Sequence, residues 1–209
     1  MTTMRPRRSV LWFGVLFVSP MLFRAALAKP EDLQPGTSLA GQLLVATPQM
    51  SDPRFRQTVI LMVKHNKDGA FGIVLNRPLG EMPVAKLLDS LGIDSKGADG
   101  QVRLFAGGPV EPEVGFIVHS TDYHRADTTD IDGRVAMTAD PQVLRDIGGR
   151  KGPRQSLVAF GYAGWGPRQL EGELSLGAWF TMPEDPKLVF DTDRDKLWDE
   201  AMKHHTISL

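Results

Sequence analysis

Two apolar runs joined by four turn residues constrain this chain more than any other feature. Thr58 to His65, TVILMVKH, is rich in β-branched residues and reads as a buried strand. Asn66-Lys67-Asp68-Gly69 reads as a hairpin turn. Ala70 to Leu75 is the return strand, where Gly72 marks a close approach of another backbone. A hairpin of this kind must be completed by further strands. Gln42 to Thr47, ended by Pro48, supplies one candidate, with Ser51-Asp52-Pro53 as a turn between.

Further strands are expected at Val102 to Ala106, Val114 to Val118, Val135 to Thr138 and Ser156 to Phe160, with short ones at Trp179-Phe180 and Leu188 to Phe190. Val84, Leu87, Leu88 and Leu91 fall at helical spacing after Pro83, which predicts a helix from Pro83 to Leu91 ended by Gly92. Asp140 as N-cap and Pro141 at the first helical position open a second helix to about Ile147. Two more are expected over Pro167 to Leu176 and Asp193 to Lys203. Asp122 to Asp132 is a polar stretch without a clear period. Strands and helices mix without a βαβ rhythm. The expected class is therefore α+β, with a complex, partly barrel-like mixed or antiparallel sheet surrounded by short helices in a single domain.

The first 28 residues read as a leader. Arg5, Arg7 and Arg8 form a basic start, Val10 to Phe23 is mostly apolar, and Ala26-Leu27-Ala28 is a cleavage pattern. Residues 29–38 read as a linker and 39–209 as the domain, exported to the periplasm; the alternative is a cytosolic protein. The apolar run is short for a spanning helix, and the mature domain is expected to carry none. Of 24 basic and 25 acidic residues, four arginines and no acid fall within 1–28, leaving the remainder at a net charge of −5. Such a body repels a phosphate backbone, so no specific nucleic-acid binding is expected. Cysteine is absent, which excludes disulfides, thiolate zinc sites and cysteine nucleophiles.

The densest cluster of unusual residues is FGYAGWGPRQLEGEL, Phe160 to Leu174. Read from the sequence, a strand ends near Phe160 and a helix starts at Pro167. Gly161, Gly164 and Gly166 then form a turn almost free of Cβ atoms, flanked by Trp165. Arg168 in the first helical turn is disfavoured by the helix dipole unless an anion or Glu171 offsets it. Gln169 can cap back onto the turn. Gly172 weakens the helix unless something packs close. The plain alternative is a packing turn with Trp165 as a core plug and Arg168 in solvent. Asn76-Arg77-Pro78 places an arginine at a strand end, suited to a carboxylate or simply to a surface salt bridge. Gly107-Gly108, in GGPVEPE, offers either consecutive N–H groups to an anion or a tight connection fixed by Pro109. His119, Asp122 and His124 lack metal-ligand spacing, and neither a metal nor a cofactor is expected. No standard hydrolase signature is present.

Taken in order, GQLLVATPQMSDPRFRQTVILMVKH, GAFGIVLNRP, GGPV, GFIVHS and GYAGWGPRQLEGEL resemble the AlgH/YqgE family of bacterial proteins, from about Leu39 to Trp198. The resemblance implies an α+β domain with a partly barrel-like sheet. It implies no reaction, because the family is essentially uncharacterised. Some members are labelled transcriptional regulators, a label that the acidic body does not support, and members are generally cytosolic. Three positions depart from the pattern: Lys64 stands where Glu is frequent, Gly177 where Asn is common, and HHTISL replaces a glycine-containing end. The leading functional expectation is a small binding protein. Its cleft is lined by Asn76, Arg77, Gly107, Gly108, His119, Gly161, Gly164, Trp165, Gly166, Arg168 and Gln169, and takes an anionic or polar ligand. One alternative is an enzyme using His119 or His65 as acid/base with Arg77 as clamp. Another is a module receiving a peptide, with Trp165 as anchor.

Overall fold

The computed structural model describes residues 38–207, with side chains through residue 204. The leader reading of residues 1–28, and the linker up to residue 37, lie outside the described residues. Ten strands and four short α-helices follow in the order β1 (Gln42–Ala46), β2 (Val59–Asn66), β3 (Gly69–Val74), β4 (Pro78–Pro83), α1 (Val84–Ser90), β5 (Gln101–Ala106), β6 (Val110–Ser120), β7 (Thr129–Asp130), β8 (Val135–Thr138), α2 (Gln142–Gly148), β9 (Ser156–Trp165), α3 (Gln169–Ser175), β10 (Trp179–Pro183) and α4 (Leu197–Ile207). The class is α+β, with one curled, mainly antiparallel sheet forming a half-barrel. No helix among the described residues is long and apolar enough to cross a membrane.

The sheet runs β10-β1-β2-β3-β9-β6-β8-β7, with β4 joined through β5 to β9. The hairpin anticipated from the sequence is present, and β1 pairs with β2 as its third strand. Alternate residues of β1 and β2 enter opposite cores. Leu43, Val45, Val59 and Leu61 join an inner cluster wrapped by the sheet and closed by α4. Leu44, Ala46, Ile60 and Met62 join a second cluster beneath α3. A third, under α1 and α2, takes Val102, Ile117 and Val158. Burial on both faces explains why these strands read as continuous apolar runs.

β9 organises the whole. Its first half pairs in parallel with β5 (Leu104 with Val158, Ala106 with Phe160) and antiparallel with β6. Its second half pairs with β3, Ala163 opposite Gly72 and Trp165 opposite Ala70. The exchange of partners falls at Gly161, whose φ is +73°. There the side-chain alternation also inverts. Leu157 and Ala159 face the inner cluster, whereas Ala163 and Trp165, of the same parity, face the outer one. Residues 111–114 of β6 bulge opposite Gly161, between the pairs Val110–Tyr162 and Gly115–Phe160.

Several expectations need correction. The stretch after Phe160 is not a turn: β9 continues to Trp165, and α3 begins only at Gln169. A Cβ on Gly161 would lie 2.5 Å from the Gly108 oxygen, and one on Gly108 would lie 2.0 Å from the Tyr162 carbonyl carbon. The glycines let two backbones cross. Leu188 to Phe190 is not a strand but part of a π-helical turn, Lys187–Asp191, and α4 starts four residues later than its pattern indicated. β4 was not anticipated. It is an exposed edge strand bounded by prolines, which sequence patterns place outside strands. β7 lies inside the polar stretch. Asp140 caps α2 as expected, its Oδ1 accepting the Gln142 N–H at 2.9 Å.

These contacts separate two kinds of glycine. Gly108→Ala is expected to prevent folding, since both its φ of +155° and the space exclude a Cβ. Gly172→Ala, where nothing lies within 4 Å, is expected to stabilise the domain by about 0.5–1 kcal/mol in urea denaturation.

Candidate functional site

The residues proposed as one cleft fall into three places. Asn76 and Arg77 sit beyond the C-terminal end of β3. Asn76 Oδ1 accepts the Val59 N–H at 3.0 Å, and its Nδ2 donates to the Gln57 oxygen at 2.7 Å. Arg77 donates to the Arg56 oxygen at 2.5 Å and to the Thr58 hydroxyl at 3.0 Å. Burial pulls the Arg77 pKa below its usual value. These two side chains therefore tie the segment before β2 to the end of β3. Gly107 is equally engaged: its N–H donates to the Phe160 oxygen at 2.7 Å, and its own oxygen accepts the Val74 N–H at 2.8 Å. It has no amide left for an anion.

Gly164, Trp165, Gly166, Arg168 and Gln169 lie at the other end of β3, because Ala70 pairs with Trp165. Six strand residues, roughly 20 Å, separate the two ends, so Arg77 does not face Arg168. His119 is elsewhere again, on β6 beside β8.

Neither histidine offers a reachable base. His65 Nδ1 accepts the Leu39 N–H at 3.2 Å, which puts the proton on Nε2, 3.2 Å from Glu171 Oε1. Both ring nitrogens are occupied. His119 is fully buried. Its Nδ1 donates to the Ser120 oxygen at 2.9 Å, and its Nε2 has no partner. Burial lowers its pKa, and the ring meets that of Tyr123 edge to face.

The sequence reading missed a carboxylate. Glu173 Oε2 accepts both indole N–H groups, from Trp165 at 3.0 Å and Trp179 at 2.7 Å. Its Oε1 accepts the Gln169 amide at 2.9 Å, and Gln169 in turn accepts the Gly166 N–H at 3.1 Å. The two indoles meet edge to face at 6.1 Å. Gln169 and Glu173, four apart on α3, were the visible signal; the partner Trp179 lies on a different strand. Trp165 is 7% exposed and hydrogen-bonded, which makes it a core plug rather than a free anchor.

One shallow depression, of about 180 Å³, adjoins this cluster. Lys64, Asp68, Phe71 and Trp165 line it, at the tip of the β2–β3 hairpin. Gly69 makes the approach possible, since a Cβ there would lie 2.2 Å from the Trp165 oxygen. Arg168 follows at once. It is exposed and held at φ +62°, a left-handed conformation unfavourable for any residue with a Cβ.

Glu173→Ala is expected to cost about 2–4 kcal/mol, because it leaves two indole N–H groups and an amide without their acceptor. Glu173→Gln, which keeps one acceptor oxygen, should cost less. Urea denaturation followed by tryptophan fluorescence reads both.

Residues 43–209 match the model of the family described as DUF179, AlgH-like. A UPF0301 protein of Methylococcus capsulatus is 41% identical over 182 residues, which cover 87% of this chain and 100% of that protein. Another, of Rhodospirillum rubrum, is 46% identical over 164 residues, 78% of this chain and 85% of that one. The solution structure of the AlgH protein from Pseudomonas aeruginosa superposes with a TM-score of 0.69 at 37% identity, over 82% of this chain and 90% of that one. A crystal structure from Corynebacterium diphtheriae, at 22% identity and a TM-score of 0.60 over 78% and 85% of the two chains, shares the fold. The chain belongs to the AlgH-like family.

Proposed function

We propose that the domain is a binding module whose recognition surface is the corner formed by the β2–β3 hairpin tip and the segment from Gly166 to Arg168, and that it takes an anionic ligand. The observation carrying this reading is a local difference in how charged side chains are partnered, since the three cations Lys64, Lys67 and Arg168 stand there beside the three acids Asp68, Glu171 and Glu173. Elsewhere among the described residues the side chain of every arginine but Arg56 is engaged. Arg54, Arg125, Arg134, Arg145, Arg150 and Arg154 form ion pairs. Arg77, Arg103 and Arg194 donate to backbone oxygens. At the corner the order is reversed. Glu173 is bound by two indoles and Gln169, and Glu171 by His65, whereas the side chains of Lys64, Lys67 and Arg168 take part in no hydrogen bond or ion pair. Asp68, which also lines the depression, has no ion pair of its own. Unpaired cations beside an apolar wall of Phe71 and Trp165 suit a carboxylate or phosphate carried on an apolar body. The engaged nitrogens of His65 and the buried ring of His119 favour binding over acid–base catalysis.

Titration of the labelled domain with inorganic phosphate and, separately, with a hexa-aspartate peptide is expected to shift amides of Lys64, Lys67, Gly166 and Arg168 first. Shifts scattered over the molecule, or none with either probe, would sink the reading. Arg168→Gly should separate the two roles of this position. It relieves the left-handed strain and raises stability by about 1 kcal/mol, while weakening the response to both probes.

A further inference from the structure

The curled sheet ends at β10 on one side and β7 on the other, and no ladder joins these two strands. Side chains join them instead. Arg134, in the β7–β8 hairpin, donates from Nη2 to the backbone oxygen of Glu184, just past β10, at 3.2 Å. Its Nε lies 2.7 Å from Glu184 Oε1, but off the hydrogen-bond direction. Asp132 of the same hairpin reaches across as well. It packs on Gly41, whose φ of +79° and missing side chain admit it: a Cβ on Gly41 would lie 2.7 Å from the Asp132 Cβ. Gly41 in turn accepts the Glu184 N–H at 3.3 Å. The seam therefore holds two carboxyl groups and one cation. The Glu184 side chain is fully buried, that of Asp132 is 15% exposed, and that of Arg134 is 54% exposed.

Both carboxyl groups reach the same guanidinium, Asp132 Oδ2 at 3.5 Å and Glu184 Oε1 at 2.7 Å, and two carboxylates so placed repel each other when both are charged, a cost that one half-exposed arginine offsets only in part. Asp132 has first claim on the charge. Against the cost of its burial, it is held below its usual value by Glu184 and by the N–H groups of Val135 and Arg134, both 3.0 Å from its Oδ1. Burial first, and Asp132 second, push the Glu184 pKa up to about 8; Asp185 adds to this and Arg134 opposes it.

We infer that Glu184, Asp132 and Arg134 form a proton-operated clasp, which closes the half-barrel while Glu184 is protonated and frees the β7–β8 hairpin from β10 when it ionises. In the closed state Glu184 donates its proton to the Asp132 carboxylate. Loss of that proton replaces a donor–acceptor contact by repulsion between like charges. The sign follows from linkage. An acid whose pKa is higher in the folded state stabilises fully below its unfolded value, and that contribution is lost as pH rises through the folded value. The window here runs from the ordinary carboxylate range to about pH 8.

The test uses the full chain. The side-chain carboxyl carbon of Glu184 is followed by NMR as pH rises, together with urea midpoints and exchange protection of residues 129–138, corrected for intrinsic rate. The expected result is a titration midpoint near 8, a fall in the urea midpoint across the same range, and loss of protection confined to the hairpin. Glu184→Gln keeps a donor for Asp132 without a proton to lose, and should abolish the fall. Asp132→Asn, measured in parallel, should lower the Glu184 midpoint, and serves even if the glutamine variant does not fold. A Glu184 midpoint in the ordinary carboxylate range, parallel pH curves for wild type and Glu184→Gln, or an Asp132→Asn midpoint equal to that of the wild type would each overturn the clasp.

Discussion

The structure depends on a contact between two stretches of backbone. Gly107 and Gly108 cross Gly161 and Tyr162 so closely that a Cβ on Gly107, Gly108 or Gly161 would lie within 2.5 Å of main-chain atoms. At this crossing β9 exchanges β5 for β3 along one edge, and its side chains change faces. Without the left-handed residue at Gly161, Trp165 would keep the parity of Leu157 and point into the inner core. The aromatic cluster beneath α3, the docking of that helix and the position of Arg168 all follow from one change of backbone hand.

Helices of seven residues are not stable on their own, so α1, α2 and α3 rely on what they touch. α1 and α2 share one apolar cluster with β5, β6 and β9. α3 buries little more than Leu170 and is fastened by polar bonds through Gln169 and Glu173. The corner proposed for recognition is thus built from the tip of the β2–β3 hairpin and a helix held by one carboxylate. This arrangement leaves the cations of Lys64, Lys67 and Arg168 unpaired.

How much of this was legible follows from the range of each signal. The β2–β3 hairpin, the cap of α2 and the α+β class rest on patterns within a dozen residues, and these were read correctly. The continuation of β9 was not legible, because Gly161, Gly164 and Gly166 look the same in a turn and in a strand crossed by another backbone. Only the distant Gly107-Gly108 distinguishes the two cases. The same holds for the proposed cleft. Asn76-Arg77 and Gly164 to Arg168 both offered an arginine beside a turn-forming residue, but a strand's length separates them, and nothing local records it. Glu173 was overlooked because its meaning depends on Trp179, brought alongside by β10.

The place of β9 in the chain has a consequence for the order of folding. It is the ninth of ten strands, yet β3, β5 and β6 all pair with it. While the chain is being synthesised, the β2–β3 hairpin and the β4–β5 pair can form from local contacts, but their inner edges stay open until residues 156–165 emerge. Open edges of apolar strands are templates for pairing with other chains. The nascent domain therefore passes through a long interval in which its most adhesive surfaces are exposed, and a single late strand ends that interval for three neighbours at once.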